Sequence, residues 1–303
     1  MTGLVMRSTG SFYDVLADGI KYNCRVRGKI RLEGIKETNP IAVGDHVEFD
    51  PEHELGSITQ ILDRKNHILR QSVKKTGHSH VLAANVDQTL LVATLASPRT
   101  SMGFIDRFLV SAEAYRIPQI VLFNKNDMLN EEGVKTQDKL LELYTSIGIT
   151  CLSISALNED QHLVRNLLQG KITLIAGHSG VGKSTLINKL SPDIDQSIGD
   201  ISEFSDKGTH TTTFAEMFPL DEKTFIIDTP GVKEWGLVDM KEQEISDYFP
   251  EMRSMRLNCK FGSRCIHVNE PKCAILDAVS AGAIAKSRYD SYLSMVLGED
   301  NRK

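Results

Sequence analysis

The period of the apolar positions changes along the chain. From residue 1 to about 75 they form short alternating runs around Ser11 to Leu16, Ile20 to Arg27, His46 to Phe49 and Gly56 to Leu62. Turn signals separate them at Asp18-Gly19, Val43-Gly44-Asp45 and Asp50-Pro51. A period of two sends successive side chains to opposite faces, so these runs predict half-buried strands. Several strands in so short a stretch predict a small closed barrel. The OB-fold is the expected type, because such barrels bind oligonucleotides across one face. Ser72 to His80 is polar and lacks apolar periodicity, which predicts a mobile connector.

Beyond Val81 the pattern becomes solid apolar runs alternating with helical ones. Leu90 to Ala93, Gln119 to Phe123, Lys171 to Ala176 and Thr224 to Ile227 read as buried strands. Ile105 to Tyr115 reads as an amphipathic helix, and Ser184 to Leu190 as a helix start. That alternation predicts an α/β domain whose ligands lie at the C-terminal ends of its strands. From about Lys241 the chain turns helical, then irregular, then helical again from Cys273 to Leu297. The expected organisation is an all-β barrel over 1–75, an α/β phosphate-loop domain over 81–238 and a helical metal-binding domain over 239–303. The last is too small to hold a large core, so a metal staple makes physical sense there.

Composition narrows the class. A charged fraction of 25% and a hydrophobic fraction of 41% are those of a soluble globular protein. No apolar run approaches membrane-spanning length and Met1-Thr2-Gly3-Leu4 lacks signal-peptide architecture, so a cytoplasmic protein, monomeric and without a membrane partner, is expected. Net charge is −5, but Lys21, Arg25, Arg27, Lys29 and Arg31 form a stretch without acids. Alternate residues share a strand face, so Arg25, Arg27, Lys29 and Arg31 predict a positive stripe suited to RNA phosphates.

The chemistry is concentrated in three motifs. Gly177-His178-Ser179-Gly180-Val181-Gly182-Lys183-Ser184-Thr185 fits G-x-x-x-x-G-K-[ST] between a strand and a helix. Its glycines permit positive φ and bring backbone N–H groups to phosphate oxygens, while the helix N-terminus adds favourable charge. Lys183 would reach the β- and γ-phosphates and the Ser184 hydroxyl would ligate Mg²⁺. After the next strand, Asp228-Thr229-Pro230-Gly231 offers Asp228 to the Mg²⁺ shell and the Gly231 N–H to the γ-phosphate. Among Thr211, Thr212 and Thr213, between these motifs, Thr212 is the expected Mg²⁺ ligand.

Upstream, Asn124-Lys125-Asn126-Asp127 follows a strand, and Asp127 is an acceptor pair matching guanine N1–H and its exocyclic amine, which adenine lacks. Lys125 would pack over the base and Asn124 would tie the loop to its neighbours. Ser155-Ala156, after the apolar run from Ile147 to Leu152, completes the pattern of a guanine pocket. An ATP-dependent enzyme is disfavoured by the same residues. Val232 stands where many GTPases carry a water-orienting glutamine, which leaves His210 as the polar candidate for that role and predicts slow intrinsic turnover.

Cys259, Cys265, His267 and Cys273 form C-x₅-C-x-H-x₅-C. Three thiolates and an imidazole match one closed, structural zinc site, and zinc is a better staple than disulfides in a reducing compartment. Cys24 and Cys151 are isolated and expected to be buried or half-buried.

In an ordinary GTPase the guanine tetrapeptide follows the phosphate loop; here it precedes it, the order of a circular permutation. Permutation is tolerated where the original termini lie close together at the surface. With the barrel before and the cysteine cluster behind, the chain resembles, over essentially its whole length, the ribosome small subunit-dependent GTPase A (RsgA, also called YjeQ) family. That resemblance implies GTP with Mg²⁺, one zinc ion, and a partner in the small ribosomal subunit and its rRNA, bound late in maturation, which stimulates hydrolysis. A GTP-gated RNA-binding module with incidental hydrolysis is the alternative. The sequence departs from the family pattern in having five rather than four residues between Cys259 and Cys265, and Thr209 where the family has arginine. Gly180 stands where potassium-activated GTPases carry asparagine.

Overall fold

The structure is a computed structural model that describes residues 1–26, 40–52, 55–71, 79–191, 215–228 and 240–298. The chain divides into two compact units. One comprises Met1–Leu90, Ala156–Gly177 and Gly182–Trp235; the other comprises Leu91–Ser155, His178–Val181 and Gly236–Lys303.

The first unit contains the barrel. β1 (Thr2–Ser8), β2 (Tyr13–Ala17), β3 (Ile20–Val26), β4 (His46–Asp50) and β5 (Gly56–Ile61) pair in the order β1-β2-β3-β5-β4, and β4 returns to β1. Every pairing is antiparallel except β3 with β5. Closure removes the exposed edges that an open sheet of this size would present. Val5, Tyr13, Val15, Cys24, Val47, Phe49 and Ile58 fill the interior. On β3, Cys24 points inward while Lys21, Asn23 and Arg25 are exposed, the alternation expected of a strand with one wet face.

β1 escapes the alternation rule because its residues Leu4 to Met6 are buried in succession. It pairs with two barrel strands and also with β12 (Glu216–Pro219), through Arg7 opposite Glu216. The expected connector is partly corrected. Ser79 and His80 belong to β7 (Ser79–Ala84), which pairs antiparallel with β6 (His67–Gln71) in the register Gln71 to Ser79. Ladder hydrogen bonds between backbones make this strand without apolar alternation. Residues 72–78 lie outside the described part.

In the same unit β11 (Ile172–Ala176) runs parallel to β13 (Phe225–Asp228), and β12 joins β13 antiparallel. β11 leads through the glycine loop into α4 (Lys183–Leu190). α3 (His162–Leu168) precedes β11, and the Gln88 amide donates to Leu167 O and Thr173 Oγ1.

The division between the units falls inside β8 (Gln88–Ala93). In the second unit β9 (Gln119–Phe123) is parallel to β10 (Thr150–Ser153), and β9 is buried throughout. α1 (Met102–Ala114) starts at Ser101, whose hydroxyl accepts the Phe104 N–H. α2 (Glu131–Ser146) is capped by Asn130 and carries Glu131 and Glu132 in its first turn, where the helix dipole favours anions.

The C-terminal part is built from α5 (Glu242–Ile245), α6 (Pro250–Arg253), α7 (Ala274–Ser280) and α8 (Lys286–Val296). Its core does not close on itself. Val110 of α1 joins Phe249, Met252, Ile275, Tyr292 and Met295 in one apolar cluster with the three cysteines. Among the described residues, no helix is long and apolar enough to cross a membrane.

Candidate nucleotide and metal sites

The glycine loop has the conformation that its sequence demands. Gly177, Gly180 and Gly182 have φ of 147°, 83° and 97°. A side chain at the last two would be strained, and a Cβ on Gly180 would also stand 3.3 Å from Pro98 Cδ. Lys183 Nζ donates to Gly177 O at 2.7 Å, closing the loop across its mouth. Ser184 and Thr185 are exposed at the first turn of α4. In the β11–β13 register Asp228 lies opposite Ile175, at the end of the strand that feeds the loop. Burial pulls the Lys183 ammonium below the usual lysine range, and the Asp228 carboxylate partly opposes that shift.

The guanine motif sits at the end of β9. Asn124 is buried; its N–H donates to Ala93 O at 2.8 Å and its side-chain amide donates to Val181 O at 2.8 Å. Asn124 therefore ties the tetrapeptide to Val181 at the tip of the glycine loop. Lys125 takes φ of 64° and donates from Nζ to Ser97 O at 2.8 Å. The N–H of Asn126 donates to Ile154 O at 3.2 Å, which docks the tetrapeptide on the segment leading to Ser155. Ser155 and Ala156 are buried and Asp127 is exposed, free to meet a base edge from solvent. Thr209, His210 and Thr211 to Thr213 lie outside the described residues, as do Gly231 and Val232. So do Arg27, Lys29 and Arg31 of the basic stripe; Arg25 is described and exposed.

Cys259, Cys265, His267 and Cys273 converge, all buried, with their ligand atoms within 4.8 Å of one another. The Sγ atoms of Cys259 and Cys265 each lie 3.8 Å from Cys273 Sγ. A tetrahedron with metal–sulfur bonds of about 2.3 Å has sulfur–sulfur edges of about 3.8 Å. His267 presents Nδ1, 3.5 Å from Cys259 Sγ and 3.3 Å from Cys273 Sγ. The donor set can thus hold a metal ion. The span between the first two cysteines contains a 3₁₀ turn over Gly262–Arg264. Burial pushes the Cys265 thiol up to about 12, so an arriving cation displaces protons.

Sequence reasoning missed the residues that hold this knuckle. The Glu270 carboxylate accepts the N–H groups of Ile266, Val268 and Asn269 at 2.6, 2.8 and 3.0 Å. Burial alone would raise its pKa, but these bonds reverse that and hold it below the usual carboxylate range. Tyr289 and Tyr292 donate to the carbonyls of His267 and Ile266 at 2.7 and 2.6 Å. The available signal was an acid inside the C-x-H-x₅-C loop, where part-buried backbone N–H groups need an acceptor.

A phosphate loop, a guanine tetrapeptide placed before it and tied to it through Asn124, and an Asp-ended neighbouring strand define a circularly permuted P-loop GTPase. The family model described as the RsgA GTPase matches residues 61–238, and that of the RsgA N-terminal domain matches residues 2–58. The chain belongs to the RsgA GTPase family and is a GTP hydrolase. A Bacteroides fragilis protein named small ribosomal subunit biogenesis GTPase RsgA is 50% identical over 306 residues, covering 100% of this chain and 98% of its own. A Christiangramia forsetii protein of the same name is 49% identical, covering 99% and 97%. Among solved structures, that of YjeQ from Thermotoga maritima matches at TM-score 0.79 and 32% identity, covering 100% and 99% of the two chains. YloQ, described as a circularly permuted GTPase, matches at TM-score 0.75 and 30% identity over 100% and 96% of the two chains.

Proposed function

We propose that this GTP hydrolase binds the small ribosomal subunit and acts in its late maturation, with hydrolysis stimulated by the subunit and coupled to release. The observation that carries this reading is the match, end to end at about half identity, to relatives named for small-subunit biogenesis. In this reading 1–75 is an RNA-binding barrel, 81–238 the GTPase domain and 239–303 a zinc domain, in a cytoplasmic monomer. Asn124 to Asp127, Ser155 and Ala156 hold the base. Gly177 to Thr185, Asp228 and Gly231 hold the phosphates. Arg25, Arg27, Lys29 and Arg31 meet rRNA phosphates.

Mg²⁺ would be held by Ser184, Thr212 and Asp228 and would supply charge neutralisation at the β- and γ-oxygens. Lys183 carries its charge to the same oxygens; its present partner, Gly177 O, is a neutral carbonyl that it can exchange for phosphate. His210 orients the attacking water. Zinc is the ion the thiolate cluster takes, because its sulfur spacing fits zinc–thiolate bonds and its donors leave no open position.

The test is GTP turnover with and without purified small subunits. Stimulation is expected; its absence would favour an RNA-binding module with incidental hydrolysis. His210→Ala should lose the stimulated rate, and full retention would remove His210 from the mechanism.

A further inference from the structure

The tip of the glycine loop, His178–Val181, belongs to the same compact unit as the C-terminal segment that carries the Cys259/Cys265/His267/Cys273 cluster. One helix touches both. The His178 ring lies over Phe104 of α1, centroids 3.9 Å apart and planes tilted by 34°, and Phe104 is buried. Two residues on, about 200° around the helix, Asp106 faces the other way. There it accepts the Tyr144 hydroxyl at 2.8 Å and Arg288 Nη1 at 2.5 Å. Arg288, on α8, is buried and also donates from Nε to Glu251 at 2.7 Å, with its guanidinium 4.5 Å from the Phe249 ring centroid. A second tie joins Glu113 of α1 to Arg253. Tyr289, adjacent to Arg288 on α8, and Tyr292, one turn further on, hold the His267 knuckle with their hydroxyls.

We infer that α1 couples occupation of the phosphate loop to the order of the C-terminal bundle, through His178 on Phe104 and through Asp106 on Arg288. A loop with three positive-φ glycines has little backbone rigidity of its own, so its contacts and its ligand set its order. Seating phosphate on the loop fixes the His178 backbone and thereby the ring pressed on Phe104. The buried Asp106–Arg288–Glu251 network does not stretch gradually, since partial separation strands charges away from water. A change in the order of α1 is therefore passed to α8. Phe104 and Asp106 are positioning residues: they act through others and touch no nucleotide in this scheme. The inference rests on Gly177 to Thr185 being the phosphate loop.

The test is hydrogen exchange on the full chain with and without saturating GDP and Mg²⁺, with GDP binding measured on the same samples. In the wild type, GDP should slow exchange in α8 by about fivefold or more, the lower range of allosteric coupling. Exchange in β2 and β3 of the barrel should be unchanged. Phe104→Leu should still bind GDP yet lose the protection in α8. Unaltered α8 exchange in GDP-saturated wild type would overturn the coupling, and so would full α8 protection in Phe104→Leu. Should Phe104→Leu fail to fold, Phe104→Met at saturating GDP decides by the same readout. If the wild type binds no GDP, the phosphate-loop assignment fails instead, and the binding measurement reports that separately.

Discussion

Arg288→Met removes the centre of the buried network and leaves its volume nearly filled by an apolar chain. Arg288 and Asp106 have side-chain exposures of 1% and 0%, and Glu251 of 8%. Burial alone would lower the Arg288 pKa, but Asp106 and Glu251 reverse this and raise it, so the guanidinium is charged throughout the accessible pH range. Deleting it strands two carboxylates in the interior and leaves the Tyr144 hydroxyl as the nearest donor to Asp106. Breaking a buried pair from one side costs about 3–5 kcal/mol.

The same helix carries a built-in comparison, the Lys286–Asp290 pair, with exposures of 70% and 53%. An exposed i,i+4 pair contributes only about 0.3–0.5 kcal/mol. At about 2–4 °C per kcal/mol for a domain of this size, Arg288→Met should lower the midpoint by roughly 6–20 °C and Lys286→Ala by about 2 °C at most. Because the chain has two compact units, scanning calorimetry is the suitable assay, and the transition that moves is the one to read. Adding Asp106→Asn to Arg288→Met removes one stranded charge, so the double variant should lose less than the sum of the singles. Equal shifts for Arg288→Met and Lys286→Ala would refute the reasoning.

Three further outcomes are expected. Glu270→Ala, which frees three knuckle N–H groups, should weaken metal retention by about 10–100-fold, as outer-shell losses do, in competition with a chromogenic chelator; unchanged affinity would make Glu270 a bystander. Asp127→Asn should shift preference from guanine toward xanthine nucleotide in competitive binding, and an unaltered ratio would sink the base assignment. Lys183 has a lowered pKa when free, and bound phosphate raises it again, so GDP binding should take up protons between the free-state and bound-state pKa values and weaken as pH rises through that window. Calorimetry in buffers of different ionisation enthalpy measures that uptake, which Lys183→Ala should abolish.

Much of the site was legible because its demands are local. A loop that wraps phosphate needs glycines at fixed offsets, and Gly180 and Gly182 take the positive φ that this implies. The strands before Asn124 and Gly177 were readable as apolar runs because they are buried on both faces. β1 and β12 were not, since β1 is buried in succession from Gly3 to Met6 and β12 is four residues with Met217 alone buried, so neither shows an alternating run. β7 was hidden behind polar residues whose pairing is made by backbone. The C-terminal tail was expected to need a metal for want of a core, yet part of its core comes from Val110, far away in sequence.

By itself, then, the sequence determined which chemical groups are present and the order in which they are threaded: phosphate loop, guanine tetrapeptide, thiolate set and the permutation linking them. Each is specified by contiguous residue types whose backbone or donor chemistry admits few alternatives. The tertiary structure decided what those groups lean on. Asn124 reaches Val181, Phe104 lies under His178, and Arg288 closes on Asp106 from 182 positions away. Such contacts depend on which faces the packed helices and strands bring together, and a periodic pattern marks a buried face without naming its partner.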